Sequence, residues 1–188
     1  MIPLLIFALS CLNPRATAQS SDAVPQAGFE FFNNVFGESP CVVASKIFAR
    51  CQNSTFTLWS LPAGNWAYPG PTNSSQEWWN WNRCDCSMPV YNLLSACAES
   101  QGASWPSFFQ HTEKCNFEYT GDNEGAIYSL PIELPTNTQL PSWAMFNSSE
   151  NKGSTFTDRQ ARLDAGLSVD KKGSDRTPFL IGGSSAIS

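Results

Sequence analysis

His111 is the only imidazole in the chain, and with Glu113 two positions on it has the composition of a general base that could activate a serine hydroxyl. Such catalysis needs a nucleophile, a base and an orienting group in one place, and no G-x-S-x-G elbow accompanies it. The alternative is an exposed polar residue on an amphipathic helix. Glu77 and Asp85 offer two carboxylates for glycoside hydrolysis beside a tryptophan cluster, but nothing in the sequence sets the separation that this chemistry requires. Asp122, Asn123 and Glu124 lie between two glycines and carry oxygen ligands suited to calcium. They lack the spacing of an EF-hand loop and read as a polar turn. No metal or cofactor is expected, and the chain is read as non-catalytic.

The cysteines have a different chemistry. Met1 to Leu12 is uncharged and rich in Leu, Ile and Phe, and Ala16, Thr17 and Ala18 follow in an A-x-A pattern. A short apolar run ending in small residues reads as a secretory signal over 1–18, cleaved after Ala18. A membrane-spanning helix needs about 20 apolar residues, more than this run or any later one supplies. Cys11 leaves with the signal, and Cys41, Cys51, Cys84, Cys86, Cys97 and Cys115 remain. In an oxidising compartment this even set is a disulfide framework. A helix over 41–51 would hold Cys41 and Cys51 about 15 Å apart, beyond the roughly 7 Å Cα limit for a bridge. Cys84 and Cys86 are strained partners on an extended segment. Excluding both leaves the pairing otherwise open. Each bridge adds about 2–4 kcal/mol, so the cysteines are read as structural and not reactive. Asn53, Asn73 and Asn147 each begin an Asn-x-Ser/Thr tripeptide; behind a signal peptide these become surface glycosylation sites of a secreted, extracellular protein.

Charge narrows the partners. Residues 19–149 hold four basic side chains (Lys46, Arg50, Arg83, Lys114) against 11 acidic ones. A phosphate-binding surface needs clustered Lys and Arg, so nucleic acid is not an expected partner. Trp78, Trp79 and Trp81, with Trp66 and Tyr68 shortly before them, allow two readings. They could stack on the sugar rings of a cell-wall polysaccharide or fill a contact with a surface protein, or they could fill the core of a domain poor in aliphatics. In an extended segment neighbouring side chains alternate faces, so one of Trp78 and Trp79 should be accessible.

The elements that position these residues are mainly helical. Residues 19–38 read as a polar lead-in with an aromatic patch of Phe29, Phe31, Phe32 and Phe36. Ser39 as N-cap and Pro40 at the first helical position open a helix to about Arg50, with Val43, Ile47 and Cys51 on one stripe. Thr55 to Trp59 alternates like a short strand, and Leu61 to Pro71 is broken by Pro62, Gly64, Pro69 and Gly70 into turns. The clearest helix follows Pro89, with Val90, Leu93, Leu94 and Cys97 at helical spacing and Gly102 where a C-terminal cap belongs. Ser104 is expected to cap a further helix over Trp105 to Lys114 with Trp105, Phe108, Phe109 and Thr112 inward. Ile127 to Leu134 reads as an edge strand or an extended cover, since Pro131 and Pro135 remove ladder donors, and Leu140 to Trp143 as a last anchor. From Ser148 to Ser188 the chain is Gly/Ser-rich and charged and is expected to be a flexible polar tail with one brief helix around Asp158 to Ala165. The fold class is therefore mainly α: a small disulfide-braced helical domain over 19–147, irregular extended segments, and a disordered C-terminal tail.

Ser39-Pro40-Cys41, Cys51, Tyr68 with Gly70-Pro71, Cys84-Asp85-Cys86 leading into Val90 through Cys97, then Gln101-Gly102, Trp105, Cys115 and Leu140 through Ala144 form an ordered series of landmarks. Over residues 39–165 it resembles the uncharacterised cysteine-rich extracellular domains of mushroom-forming fungi. That resemblance implies a compartment and an architecture, and no reaction. Similar chains often carry a further Cys where Ser100 stands here, which keeps the pairing open, and many continue through a Ser/Thr-rich stalk into one membrane span. No span lies within these 188 residues; a fully secreted form and a span lost from the C-terminus both remain open. The expected function is a non-catalytic domain binding cell-wall polysaccharide or a surface protein through exposed aromatics. A secreted hydrolase and a structural wall-associated protein are the alternatives.

Overall fold

The computed structural model describes residues 20–71, 83–115 and 128–167. Among them the architecture is mainly helical, with two isolated parallel bridges, Ser21 to Leu58 and Gly64 to Ala103, in place of a sheet. The expected signal peptide, the Trp78–Trp81 cluster, Glu77, Asn73, the Asp122–Glu124 turn and the chain from 168 onward lie outside the described residues.

Helix α1 (Pro40–Gln52) begins as its sequence dictates. Ser39 is extended, its hydroxyl accepts from the Val42 N–H at 3.4 Å, and Pro40 fills a position where no N–H is needed. It ends when Asn53 turns left-handed, φ 49°, a conformation Asn tolerates better than most residues. Helix α2 (Met88–Ser100) is buried along its whole length, which makes it the axis of the domain. Gly102, φ +73°, closes it with its N–H on the Glu99 carbonyl at 2.9 Å.

The pairing of cysteines sets how these helices meet. Cys41, at the start of α1, bridges Cys97, near the end of α2, with Cα atoms 4.9 Å apart; Cys51, near the end of α1, bridges Cys84, just before α2, at 6.4 Å. The two helices therefore run antiparallel. The third bridge, Cys86–Cys115 at 5.8 Å, ties the segment after α3 to the approach to α2. Both pairs ruled out by local geometry are absent, and the three pairs suit an oxidising environment.

Helix α3 spans only Phe108–His111, shorter than the ten residues expected. Pro106 pushes Trp105 out of the helical region, and the start moves to Ser107. Its hydroxyl accepts from the Gln110 N–H at 3.2 Å while the Gln110 side chain accepts from the Ser107 N–H at 3.0 Å, a reciprocal cap. Ser104 instead donates its hydroxyl to the Gly64 carbonyl at 3.0 Å. The shorter helix also turns Phe109 outward, 59% exposed, while Phe108 and Thr112 stay buried. Thr55 to Trp59 makes no strand: Leu58 supplies a single bridge to Ser21. Residues 128–134 run in bends, with Leu130 and Ile132 resting on the core.

The chain past Asn147 is where the expected domain boundary gives way. Residues 148–167 include helix α4 (Arg159–Asp164), near the expected brief helix, but they are also part of the core. The Phe156 ring sits 5.9 Å from Phe32, 5.8 Å from Trp143 and 6.2 Å from Trp105, and Ala161 is fully buried. Arg162 lies over the Phe31 ring, 4.4 Å from its centre, and pairs with Asp158. The polar composition of this stretch hides the fact that one aromatic and one small residue suffice to dock it.

Candidate functional site

A Pro/Gly-rich loop over 61–71 crosses the end of α2, and its course is fixed by hydrogen bonds rather than by regular structure. The Leu61 N–H donates to the Gln101 side-chain oxygen at 2.7 Å. The Gln101 amide nitrogen donates to the Tyr68 hydroxyl at 2.9 Å, and that hydroxyl donates to the Trp59 carbonyl at 2.8 Å. The Gly64 N–H donates to the Gly102 carbonyl at 2.9 Å, and the Ser104 N–H to the Trp66 carbonyl at 2.8 Å. Gly64 has φ +106°, a region that an L side chain rarely adopts.

This bracing separates the two aromatics that the sequence grouped together. Tyr68 is 2% exposed, with its hydroxyl held as above and its ring 5.8 Å from Trp59 in an edge-on arrangement. Burial pushes its phenol up to about 12, so it is a neutral interior residue and offers no outer face. Trp66 is 61% exposed although its main chain is tied down on both sides. Its neighbours Pro62, Ala63 and Asn65 are exposed too, and the Gln26 side chain reaches the Gly102 seam, about 3.0 Å from where a Cβ on that glycine would lie. The result is an indole on a fixed loop with amide and hydroxyl groups on the same seam. The residues that hold it, Gly64, Gln101 and Ser104, went unrecognised in the sequence. Only the Gly/Pro punctuation of the loop and the cap position of Gly102 pointed towards them.

His111 lies behind this loop. It is 2% exposed, not the surface residue expected, because the loop and the Cys84–Cys86 segment close over α3. Its Nε2 meets the Asp85 main-chain carbonyl at 3.0 Å; a carbonyl only accepts, so the proton sits on Nε2. The ring packs 5.4 Å from Tyr91. Burial drives the imidazole down to about 4, against a smaller upward pull from the Asp85 carbonyl. Tyr68, Tyr91, Ser95, Trp105 and His111 line a small cavity of about 10 Å³, room for about one water molecule. The Tyr91 hydroxyl donates to the Pro106 carbonyl at 2.8 Å and accepts from the Phe156 N–H at 3.0 Å. Asp85 is fully buried, and its carboxylate faces the interior and not an open cleft.

The two described glycosylation tripeptides differ. Asn53 is exposed together with Ser54 and Thr55. Asn147 is half-buried: its side-chain oxygen accepts from the Ser149 N–H and hydroxyl, at 3.2 and 2.6 Å, and its amide nitrogen donates to Glu150 at 2.8 Å. Among the described residues no three His, Cys, Asp or Glu side chains gather as a metal site, and no helix is long and apolar enough to cross a membrane. No family model, curated protein or solved structure matches the chain.

Proposed function

We propose that the protein is a non-catalytic, exported domain that binds cell-wall polysaccharide through Trp66. The carrying observation is a large aromatic side chain left in solvent while its own main chain is clamped to the 102–104 segment. A ring held open at fixed orientation loses little freedom when a flat sugar face stacks on it. The exposed Asn53-Ser54-Thr55 tripeptide, the three bridges and the resemblance to cysteine-rich extracellular domains of mushroom-forming fungi support export. The buried, hydrogen-bonded His111 supports the absence of acid-base catalysis.

Magnitudes favour a polymer over a small sugar. Covering roughly 100 Å² of the indole is worth about 2.5 kcal/mol at about 25 cal/mol per Å². A millimolar dissociation constant corresponds to about 4 kcal/mol, so one stacked ring alone binds more weakly than that, and retention depends on several contacts along one chain. The test is co-sedimentation with insoluble chitin, β-glucan and mannan. Wild type should be retained by one of them, and Trp66→Ala should cut retention at least about tenfold with an unchanged urea midpoint. Failure of wild type to bind any of the three, or undiminished binding by Trp66→Ala, overturns the proposal.

A further inference from the structure

The chain is stitched to the domain from Ser20 onward. The Ser20 carbonyl lies 2.8 Å from the Ser45 hydroxyl, a fully buried group on α1 whose single proton is shared with the Phe56 carbonyl at 2.7 Å. Ser21 donates its hydroxyl to the Leu58 carbonyl at 3.1 Å, and the Asp22 N–H donates to the same carbonyl at 2.9 Å. The Ala23 N–H donates back to the Ser21 hydroxyl at 3.1 Å, and Ala23 is buried while Ser20 is exposed. Between the expected cleavage point after Ala18 and this stitched stretch lies one residue, Gln19. A peptidase needs unpinned backbone on both sides of the bond it cuts, so the leader has to be removed before Ser20 docks.

We infer that Gln19 is a modification site: in the mature chain it is cyclised to pyroglutamate, and this cap together with the Ser20–Ala23 stitching closes the N-terminus to aminopeptidases. The inference rests on export with cleavage after Ala18, and on nothing about Trp66. A terminal glutamine carries both reacting groups. An ordinary α-amine has a pKa of about 8, so a fraction of it is an unprotonated nucleophile at neutral pH. Its nitrogen attacks the side-chain carbonyl carbon of Gln19, a new C–N bond closes a pyrrolidone ring, and the bond to the amide nitrogen breaks. Ammonia leaves with one proton taken from the amine, and no oxidant, metal or second substrate is needed. The lactam removes the terminal charge that an aminopeptidase grips. The bonds to Ser45 and Leu58 hold the next residues back from its site.

The experiment expresses the full chain through the secretory pathway of a eukaryotic host, keeps the exported protein at neutral pH for several weeks, and reads its N-terminal peptide by mass spectrometry. The expected peptide begins at residue 19, is about 17 Da lighter than its unmodified sequence, and takes no amine-reactive label. Gln19→Ser, which lacks the side-chain carbonyl, should begin at the same place with its full mass and take the label. Once pyroglutamyl peptidase has exposed Ser20, an ordinary aminopeptidase should trim the wild type about tenfold more slowly than Ser45→Ala, which loses the buried anchor. Should Ser45→Ala not fold, Ser21→Ala gives the same comparison. A wild-type peptide that begins at residue 19 with its full mass and a free amine overturns the cyclisation and leaves export standing. A chain that begins elsewhere, or that keeps residues 1–18, overturns the cleavage reading and the modification with it. Equal trimming of wild type and anchor variant overturns the stitching as a barrier. None of these readouts involves a polysaccharide, so failure of glycan binding is a separate result.

Discussion

The Asn92 side chain, in the middle of α2, accepts the Ser148 hydroxyl at 2.6 Å across 56 positions of sequence, with both groups buried. The same side chain donates to the carbonyls of Ala144 at 2.9 Å and Phe146 at 2.8 Å. One carboxamide thus satisfies three groups of a segment that has no regular ladder of its own, and it fastens that segment to the most buried helix.

Replacing Asn92 with Leu should therefore cost about 3 kcal/mol, because it strands two carbonyls and a hydroxyl in the interior at about 1–3 kcal/mol for an unsatisfied group, partly relieved by movement of the segment. Ser148→Ala, which removes only one bond, should cost about 1 kcal/mol. Urea unfolding at pH 7 measures both; equal midpoints for the two variants would show that Asn92 does not organise the segment.

The bridges should open in an order set by access. Cys41 and Cys97 are both fully buried, whereas Cys51 and Cys115 are half-exposed. Thiol attack needs a reachable sulfur, so under limiting reductant Cys51–Cys84 and Cys86–Cys115 should be alkylated before Cys41–Cys97. Peptide mapping after timed trapping reads this order directly.

His111 also predicts a global pH dependence. Folding lowers its pKa from 6.5 to about 4 through burial, so the unfolded chain binds the extra proton between those values. The stability tied to the neutral ring is fully present above about pH 6.5 and is lost as pH falls towards 4, amounting to about 3 kcal/mol in full and about 2 kcal/mol by pH 5. Between pH 7 and 5 the wild type should lose about 2 kcal/mol more than His111→Gln. Parallel curves for the two proteins would show that folding leaves the His111 pKa unchanged.

The parts of the fold that could be read in the sequence were those with local causes. Ser39-Pro40 placed the start of α1, and Gly102 marked the close of α2, because caps and proline act within one turn. The ends of α3 were legible in principle, since Pro106 and the Ser107/Gln110 pair are both local, but the apolar spacing of Trp105, Phe108 and Phe109 outweighed them. Burial of His111 had no local signal: it depends on a loop forty residues earlier passing close enough that only Gly70 fits. The docking of Phe156 was hidden in the same way, because its pocket is assembled from Phe32, Trp105 and Trp143, which come from three separate stretches. For the candidate site, the sequence grouped Trp66 and Tyr68 with Trp78, Trp79 and Trp81. The hydrogen bonds of the Tyr68 hydroxyl to Gln101 and the Trp59 carbonyl, neither of them local in sequence, separate the inner ring from the outer one.

The three bridges join Cys41 to Cys97, Cys51 to Cys84 and Cys86 to Cys115, so every peptide bond between Cys41 and Cys115 is spanned by at least one of them. A protease that nicks this stretch once leaves two fragments still joined through sulfur. Such a molecule would run as a single species without reductant and as two pieces with it. In surroundings rich in degradative enzymes, it could be cut and still remain whole.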